Sequence, residues 1–235
     1  MKRELIYGRN AVREALRGRR QVLELWASER AMTSLEWLGE GPRPQVRKDR
    51  ELTEAAASPD HQGVLAWAAP YPYADPWELA SRERPLLACL DQVTDPRNLG
   101  AVVRCAAGAG ATGVIVPAHG SALITPAVCR SSAGAVEHLP VAVVPNLARY
   151  LAEIKRDDLW SYAAAADAPQ TMWQVDFTGG VVLVFGAEGK GVRPLVRKTC
   201  DATVSIPLAG GTESLNVSVA AAVLLYEARR QRTAL

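Results

Sequence analysis

Three stretches of this 235-residue chain carry side chains whose types and spacing suit ligand chemistry. The first runs from Asp91 through Asp95-Pro96-Arg97-Asn98-Leu99-Gly100 to Arg104 and Gly108. An apolar run ends near Asp91, a polar loop follows, and Asn98 is placed to cap a helix over Leu99–Ala107. Gly100, Arg104 and Gly108 recur every four residues and so share one helix face. Glycine weakens a helix by about 1 kcal/mol relative to alanine, so two glycines flanking an arginine imply a close approach to that face. The approaching group is either a packed neighbour, leaving Arg104 exposed, or a carboxylate or phosphate that fits the guanidinium fork.

The second stretch is Gly186-Ala187-Glu188-Gly189-Lys190-Gly191, directly after the apolar run Val181–Phe185. Its backbone can come close to a ligand. It is neither a Walker loop nor the GxGxxG dinucleotide fingerprint. Glu188, a carboxylate among glycines, needs a donor or solvent. The third stretch is Ile206-Pro207-Leu208, then a small-residue loop, then Ser214-Leu215-Asn216-Val217-Ser218-Val219. Here Ser214 and Asn216 serve either as caps of the last helix or as ligand-facing polar groups.

The elements that must position these loops follow from patterning. Leu86–Leu90, Val114–Val116, Val181–Phe185 and Val204–Ile206 read as strands, and Leu99–Ala107, Leu147–Ile154 and Val217–Gln231 as helices. Alternation of this kind implies an α/β fold with a mainly parallel sheet. All three loops would leave carboxyl ends of strands, the rim where open α/β sheets bind ligands. Ahead of this lies a smaller α/β unit: Asn10 is placed to cap a helix over Ala11–Leu16, Val22–Trp26 and the end of His61–Trp67 are strand-like, and Thr33–Leu38 is helical. Three prolines, Pro70, Pro72 and Pro76, mark an extended linker. We therefore divide the chain into residues 1–70, a linker at 71–85, and 86–235.

Composition narrows the class. Hydrophobic residues make up 49% and charged residues 22%, which excludes disorder and collagen-like repeats. Net charge is +2, so total charge names no partner, but residues 1–20 hold seven basic side chains against Glu4 and Glu14. That cluster suits either a solvated helix face or a polyanion-binding face. Cys89, Cys105, Cys129 and Cys200 have no zinc or CxxC spacing. No signal peptide or membrane span is expected, which points to a cytoplasmic protein with reduced thiols and no metal.

Jointly, the three stretches resemble the three motifs of the SpoU/TrmH branch of the SPOUT RNA 2′-O-ribose methyltransferases. Asp95-Pro96-Arg97-Asn98-Leu99-Gly100 with Arg104 matches the first, Gly186 to Gly191 the second, and Ile206-Pro207-Leu208 with Ser214 to Ala220 the third. Ser131-Ser132-Ala133-Gly134-Ala135 is similar to a serine-glycine segment the family carries before its second motif. Leu208 departs from the Met that many members have, a swap that keeps apolar bulk. Ile6-Tyr7-Gly8-Arg9-Asn10 and His61-Gln62-Gly63-Val64 resemble parts of the L30e/L7Ae-like substrate-binding domain of rRNA-modifying members.

The resemblance implies S-adenosylmethionine as co-substrate, a C-terminal trefoil knot, and a homodimer with its sites near the subunit interface. It implies that Gly186, Ile206, Leu208 and Leu215 line the cofactor pocket, and that Arg104, Asn98, Glu188, Ser214 and Asn216 serve methyl transfer to RNA. A large-subunit rRNA guanosine is the expected target, with a tRNA ribose or a non-catalytic assembly factor as alternatives. A nucleotide-dependent oxidoreductase lacks its fingerprint. His61, His119 and His138 lie outside all three motifs, so no side chain stands out as the base. Arginine resists deprotonation, and Arg104 is therefore expected to grip the phosphate beside the target ribose. On this reading Arg9, Arg17, Arg19 and Arg20 contact RNA backbone phosphates.

Overall fold

The computed structural model describes residues 2–212 and 214–233; Glu213 of the third motif lies outside the described residues. The chain forms two compact units. The first comprises β1 (Glu4–Tyr7), α1 (Arg9–Arg17), β2 (Val22–Ala27), α2 (Glu29–Ser34), β3 (Gln45–Val46), α3 (Asp49–Ala56) and β4 (Val64–Ala68). Its sheet has the order β1-β4-β2-β3, antiparallel except between β2 and β3.

The second unit begins with α4 (Pro76–Ser81), β5 (Leu86–Asp91), α5 (Pro96–Ala109) and β6 (Gly113–Pro117). The chain then passes through α6 (Pro126–Ser131), which belongs to the first unit, and returns as β7 (Val141–Val144), α7 (Leu147–Glu153) and β8 (Leu159–Ala164). It ends with β9 (Gly180–Gly186), α8 (Pro194–Thr199), β10 (Ala202–Val204) and α9 (Val217–Thr233). Six strands form one all-parallel sheet in the order β10-β8-β9-β5-β6-β7. Its central strands carry the continuous apolar runs Leu86–Leu90 and Val181–Phe185 because both faces are covered.

Several expectations are corrected. β7 and β8 were not anticipated: the first is only four residues between prolines, and the second, LWSYAA, mixes polar and alanine residues. The 71–85 linker is not extended throughout, since Asp75 caps α4 and buries Leu79 and Ala80 in the core beside the parallel sheet. Asn10 lies inside α1, which starts after Gly8, and the helix expected at Thr33–Leu38 is split at Leu35 between the end of α2 and a 3-10 helix at Glu36–Glu40. Residues 124–138, expected with the second domain, pack in the first unit.

Candidate active site

Asp95, not Asn98, caps α5: its carboxylate accepts from the Arg97 amide at 2.8 Å, and Pro96 occupies the first helical position. Asn98 therefore sits within the first turn with its side chain free to reach outward. Its Nδ2 donates to Glu188 Oε1 at 3.0 Å, and its Oδ1 accepts from Asn216 Nδ2 at 3.1 Å. Asn216 Nδ2 also donates to Glu188. One residue from each motif thus meets in a closed triangle.

Asn216 takes the capping role expected of it and also joins the triangle. Its Oδ1 accepts from the Ser218 amide at 2.8 Å and the Ser218 hydroxyl at 2.6 Å, capping α9, while its amide nitrogen serves the triangle. A single side chain so fixes the start of a helix and the orientation of Glu188.

The glycine-rich loop owes its glycines to its own path. A Cβ on Gly186 would lie 1.9 Å from the Gly191 carbonyl carbon, so the loop folds back on its own backbone. Gly189 and Gly191 have φ of 73° and 65°, a conformation that side-chain-bearing residues rarely adopt. The Gly191 amide closes the turn onto the Ala187 carbonyl at 2.8 Å.

Beside the triangle lies a crevice of about 730 Å³ at the carboxyl ends of β8, β9 and β10, within the size range of small-molecule sites. Gly186, Ile206, Leu208, Leu215 and Ser214 line it, as do Glu188 and Asn216. Apolar walls with a polar lip suit a ligand that carries both an aromatic base and a charged tail. Ala164 to Ala166, at the end of the unanticipated β8, complete the wall. Their only trace in the sequence is an alanine run, which carries no chemical signal.

Arg104 does not line this crevice. It is exposed on α5, and among the described residues it has no hydrogen-bond or ion-pair partner. One turn on, Gly108 meets the Tyr226 hydroxyl of α9, where a Cβ would come within 2.6 Å. The close approach expected at this face is therefore a packed helix.

The N-terminal arginines divide. Arg20, expected at RNA phosphates, has a side chain only 2% exposed and is bound to the fully buried Glu137, with Nε to Oε2 at 3.0 Å. It also donates to Glu4 Oε2 and Cys129 Sγ, each at 3.2 Å, so it is a structural residue. Arg19 is exposed but reaches the Glu137 carbonyl and the Tyr71 hydroxyl. Arg9 donates through Nε to the Gln62 carbonyl at 3.2 Å, and the exposed Arg17 pairs with Glu40.

The remaining chemistry is quiet. Burial pushes the Cys129 thiol up to about 11 and that of Cys200 to about 12, leaving both unreactive. Among the described residues no cluster of three potential metal ligands occurs, and no helix is long and apolar enough to cross a membrane.

A parallel α/β sheet with loops converging on a crevice at its carboxyl rim defines a ligand-binding α/β protein whose polar groups stand at one lip. Comparison with known proteins makes this specific. The SpoU rRNA Methylase family matches residues 85–226, and an RNA 2′-O ribose methyltransferase substrate-binding domain matches residues 5–74. The chain belongs to the SpoU rRNA methylase family.

Among its relatives is the 23S rRNA (guanosine-2′-O-)-methyltransferase RlmB of Pseudomonas putida, 43% identical across 97% of both chains. The putative TrmH family tRNA/rRNA methyltransferase YacO of Bacillus subtilis is 36% identical across 97% of this chain and 96% of its own. In structure the chain is similar to the SpoU methyltransferase AviRb from Streptomyces viridochromogenes in complex with AdoMet. The TM-score is 0.83 at 27% identity, covering 99% of this chain and 92% of that one.

Proposed function

We propose that this protein methylates a ribose 2′-hydroxyl in RNA with S-adenosylmethionine, and that its target is a guanosine of 23S rRNA. The observation that carries this reading is the Asn98–Glu188–Asn216 triangle at the lip of a mainly apolar crevice. A protein that only bound RNA would have no need of three motifs converging there. Similarity to the AdoMet complex and to the guanosine-2′-O-methyltransferase of Pseudomonas putida supports the cofactor and the target.

Gly186, Ile206, Leu208 and Leu215 would hold S-adenosylmethionine, whose sulfonium supplies an electrophilic methyl group. Asn98 and Asn216 orient the ribose hydroxyl at the lip. Ser214, on the same crevice wall, adds a hydroxyl to that shell. Glu188 already accepts two amide hydrogen bonds and acts as an orienting group, not as the base. Arg104 grips the phosphate flanking the target ribose and steadies the developing negative charge. Holding the reactants in line in this way contributes several kcal/mol, about 7–11 at most.

Arg104 is placed for this role if the protein is a homodimer. Apart from Ser218, the first ten residues of α9 are apolar: Val217, Ala221, Leu224 and Leu225 face inward, yet Val219 and Tyr226 are exposed and Ala222 and Val223 half-exposed. A helix apolar on every side belongs inside a structure. Tyr226 rests on Gly108, one turn from Arg104, so the arginine stands at the margin of this face. A second copy covering the face would bring its own Arg104 near the crevice of the first. On this reading the first unit is the L30e/L7Ae-like body that holds the RNA, the second carries the family's C-terminal trefoil knot, and the protein works in the cytoplasm.

Sites of 2′-O-methylation in RNA from cells lacking this chain, compared with the parent strain, test the proposal. Loss of one methylated guanosine in 23S rRNA, restored by the purified protein and S-adenosylmethionine on the unmethylated RNA, is the expected result. A lost tRNA site would move the target to tRNA, and no lost site would leave a non-catalytic binder.

A further inference from the structure

Asp91 ends β5 with a side chain wholly shielded from solvent. Burying a carboxylate costs several kcal/mol unless it is matched by good geometry. The match comes from Arg193, 102 residues on, at the foot of α8. The Arg193 amide donates to Asp91 Oδ2 at 2.8 Å, its Nε to Oδ1 at 2.8 Å, and its Nη2 lies 2.7 Å from Oδ1. Main chain and guanidinium of one residue thus grip both carboxylate oxygens.

The position of this grip gives it meaning. Asp91 lies beside Gly186 in the β5–β9 register, where the glycine-rich loop begins, and Arg193 follows Val192, where the loop ends. The loop is therefore fastened twice: at its tip, by Glu188 to Asn98 and Asn216, and at its root, by Arg193 to Asp91. Between the two, Gly186 and Gly191 are in backbone contact, so a shift at the root passes directly to the residues that line the crevice.

We infer that Asp91 and Arg193 are positioning residues that fix the glycine-rich loop in its cofactor-binding shape, without touching the cofactor themselves. The inference rests on the reading that the crevice takes S-adenosylmethionine. Neutralising the buried carboxylate leaves the loop free to sample other shapes, and affinity falls by the fraction of time the binding shape is lost.

Calorimetric titration of S-adenosylmethionine into the full-length protein tests this, with amide hydrogen exchange of residues 186–193 as a second readout. Asp91→Asn keeps the shape and one acceptor for the Arg193 amide. It should raise Kd on the order of tenfold and speed exchange in the loop, with kcat at saturating cofactor within about threefold of wild type. Arg193→Lys, at a half-exposed site where the backbone amide still holds Asp91, should raise Kd about threefold, because an ammonium cannot reproduce the fork.

Arg232→Met, a destabilising control far along α9, should leave Kd unchanged. Wild-type affinity and loop protection in both Asp91→Asn and Arg193→Lys would overturn the inference, as would an equal loss of affinity in Arg232→Met. Absence of binding by the wild-type protein would instead remove the reading of the crevice on which it rests.

Discussion

Arg20 and Arg104 look alike in the sequence, each a basic residue in a stretch that suggests a polyanion partner. In the folded chain they are opposites. Arg20 is enclosed by Glu137, Glu4 and Cys129, whereas Arg104 is exposed and has no partner among the described residues. What separates them is a carboxylate 117 positions from Arg20, delivered by the segment that leaves the parallel sheet and packs in the first unit. Local charge density therefore says little about which cations remain for a ligand. The cations that remain for a ligand are those the fold has not enclosed in a buried pair.

The sharpest way to break this contrast is at Arg104. Arg104→Lys keeps the charge but not the planar fork, and methyl transfer should fall about 100-fold or more, with unfolding unchanged. Near-wild-type turnover would remove the bidentate clamp from the mechanism. The same logic runs the other way in the first unit. Glu137→Ala leaves the buried Arg20 with only the longer contact to the half-buried Glu4 and should cost about 3–5 kcal/mol in urea unfolding, a penalty of the kind expected for a broken buried pair. A loss below about 1 kcal/mol would mean that water or Glu4 takes over the pairing.

The sequence makes the motifs legible, and with them the three loops and the parallel α/β class, because central strands such as Val181–Phe185 are apolar throughout and need no partner to be recognised. Asn98, Glu188 and Asn216 were singled out one motif at a time, but their mutual contacts are a product of topology, with spacings of 90, 28 and 118 residues. In the sequence Asp91 marks only the end of an apolar run and Arg193 carries no signal, because an aspartate at a strand end and an arginine before a proline are common. Only their register reveals the pairing. The alanine run at β8 hid a crevice wall, since Ala164 to Ala166 carry no side-chain chemistry and contribute by being small.

A milder test lies at Glu14, which binds Arg13 and His138. Burial pushes its carboxyl up, but the hydrogen bonds from Arg13 and His138 outweigh this and hold it below the ordinary 4.5. A carboxylate with a depressed pKa stabilises the fold above its unfolded value, and that contribution is lost as pH falls through the folded one. Glu14→Gln should therefore be less stable than wild type at pH 7, and the gap in urea midpoints should close below about pH 4.5. A gap that persisted into acid would assign the effect to packing against Gly134, whose Cα hydrogens face the Glu14 stem.

The smallest effect sharpens the contrast from the side of RNA. Arg17 is exposed and, among the described residues, bound only to Glu40, itself at the surface, and such pairs contribute little to folding. Its guanidinium can leave Glu40 for a phosphate at small cost, which the enclosed Arg20 cannot do. Arg17→Ala should leave the urea midpoint where it is and reduce the slope of log K against log salt for RNA binding by about one, the signature of one lost phosphate contact. Arg20→Ala should do the reverse, lowering the midpoint while the surviving folded protein keeps the wild-type slope. An unchanged slope in Arg17→Ala would return the N-terminal cluster to an ordinary solvated helix face and leave RNA contact to other cations.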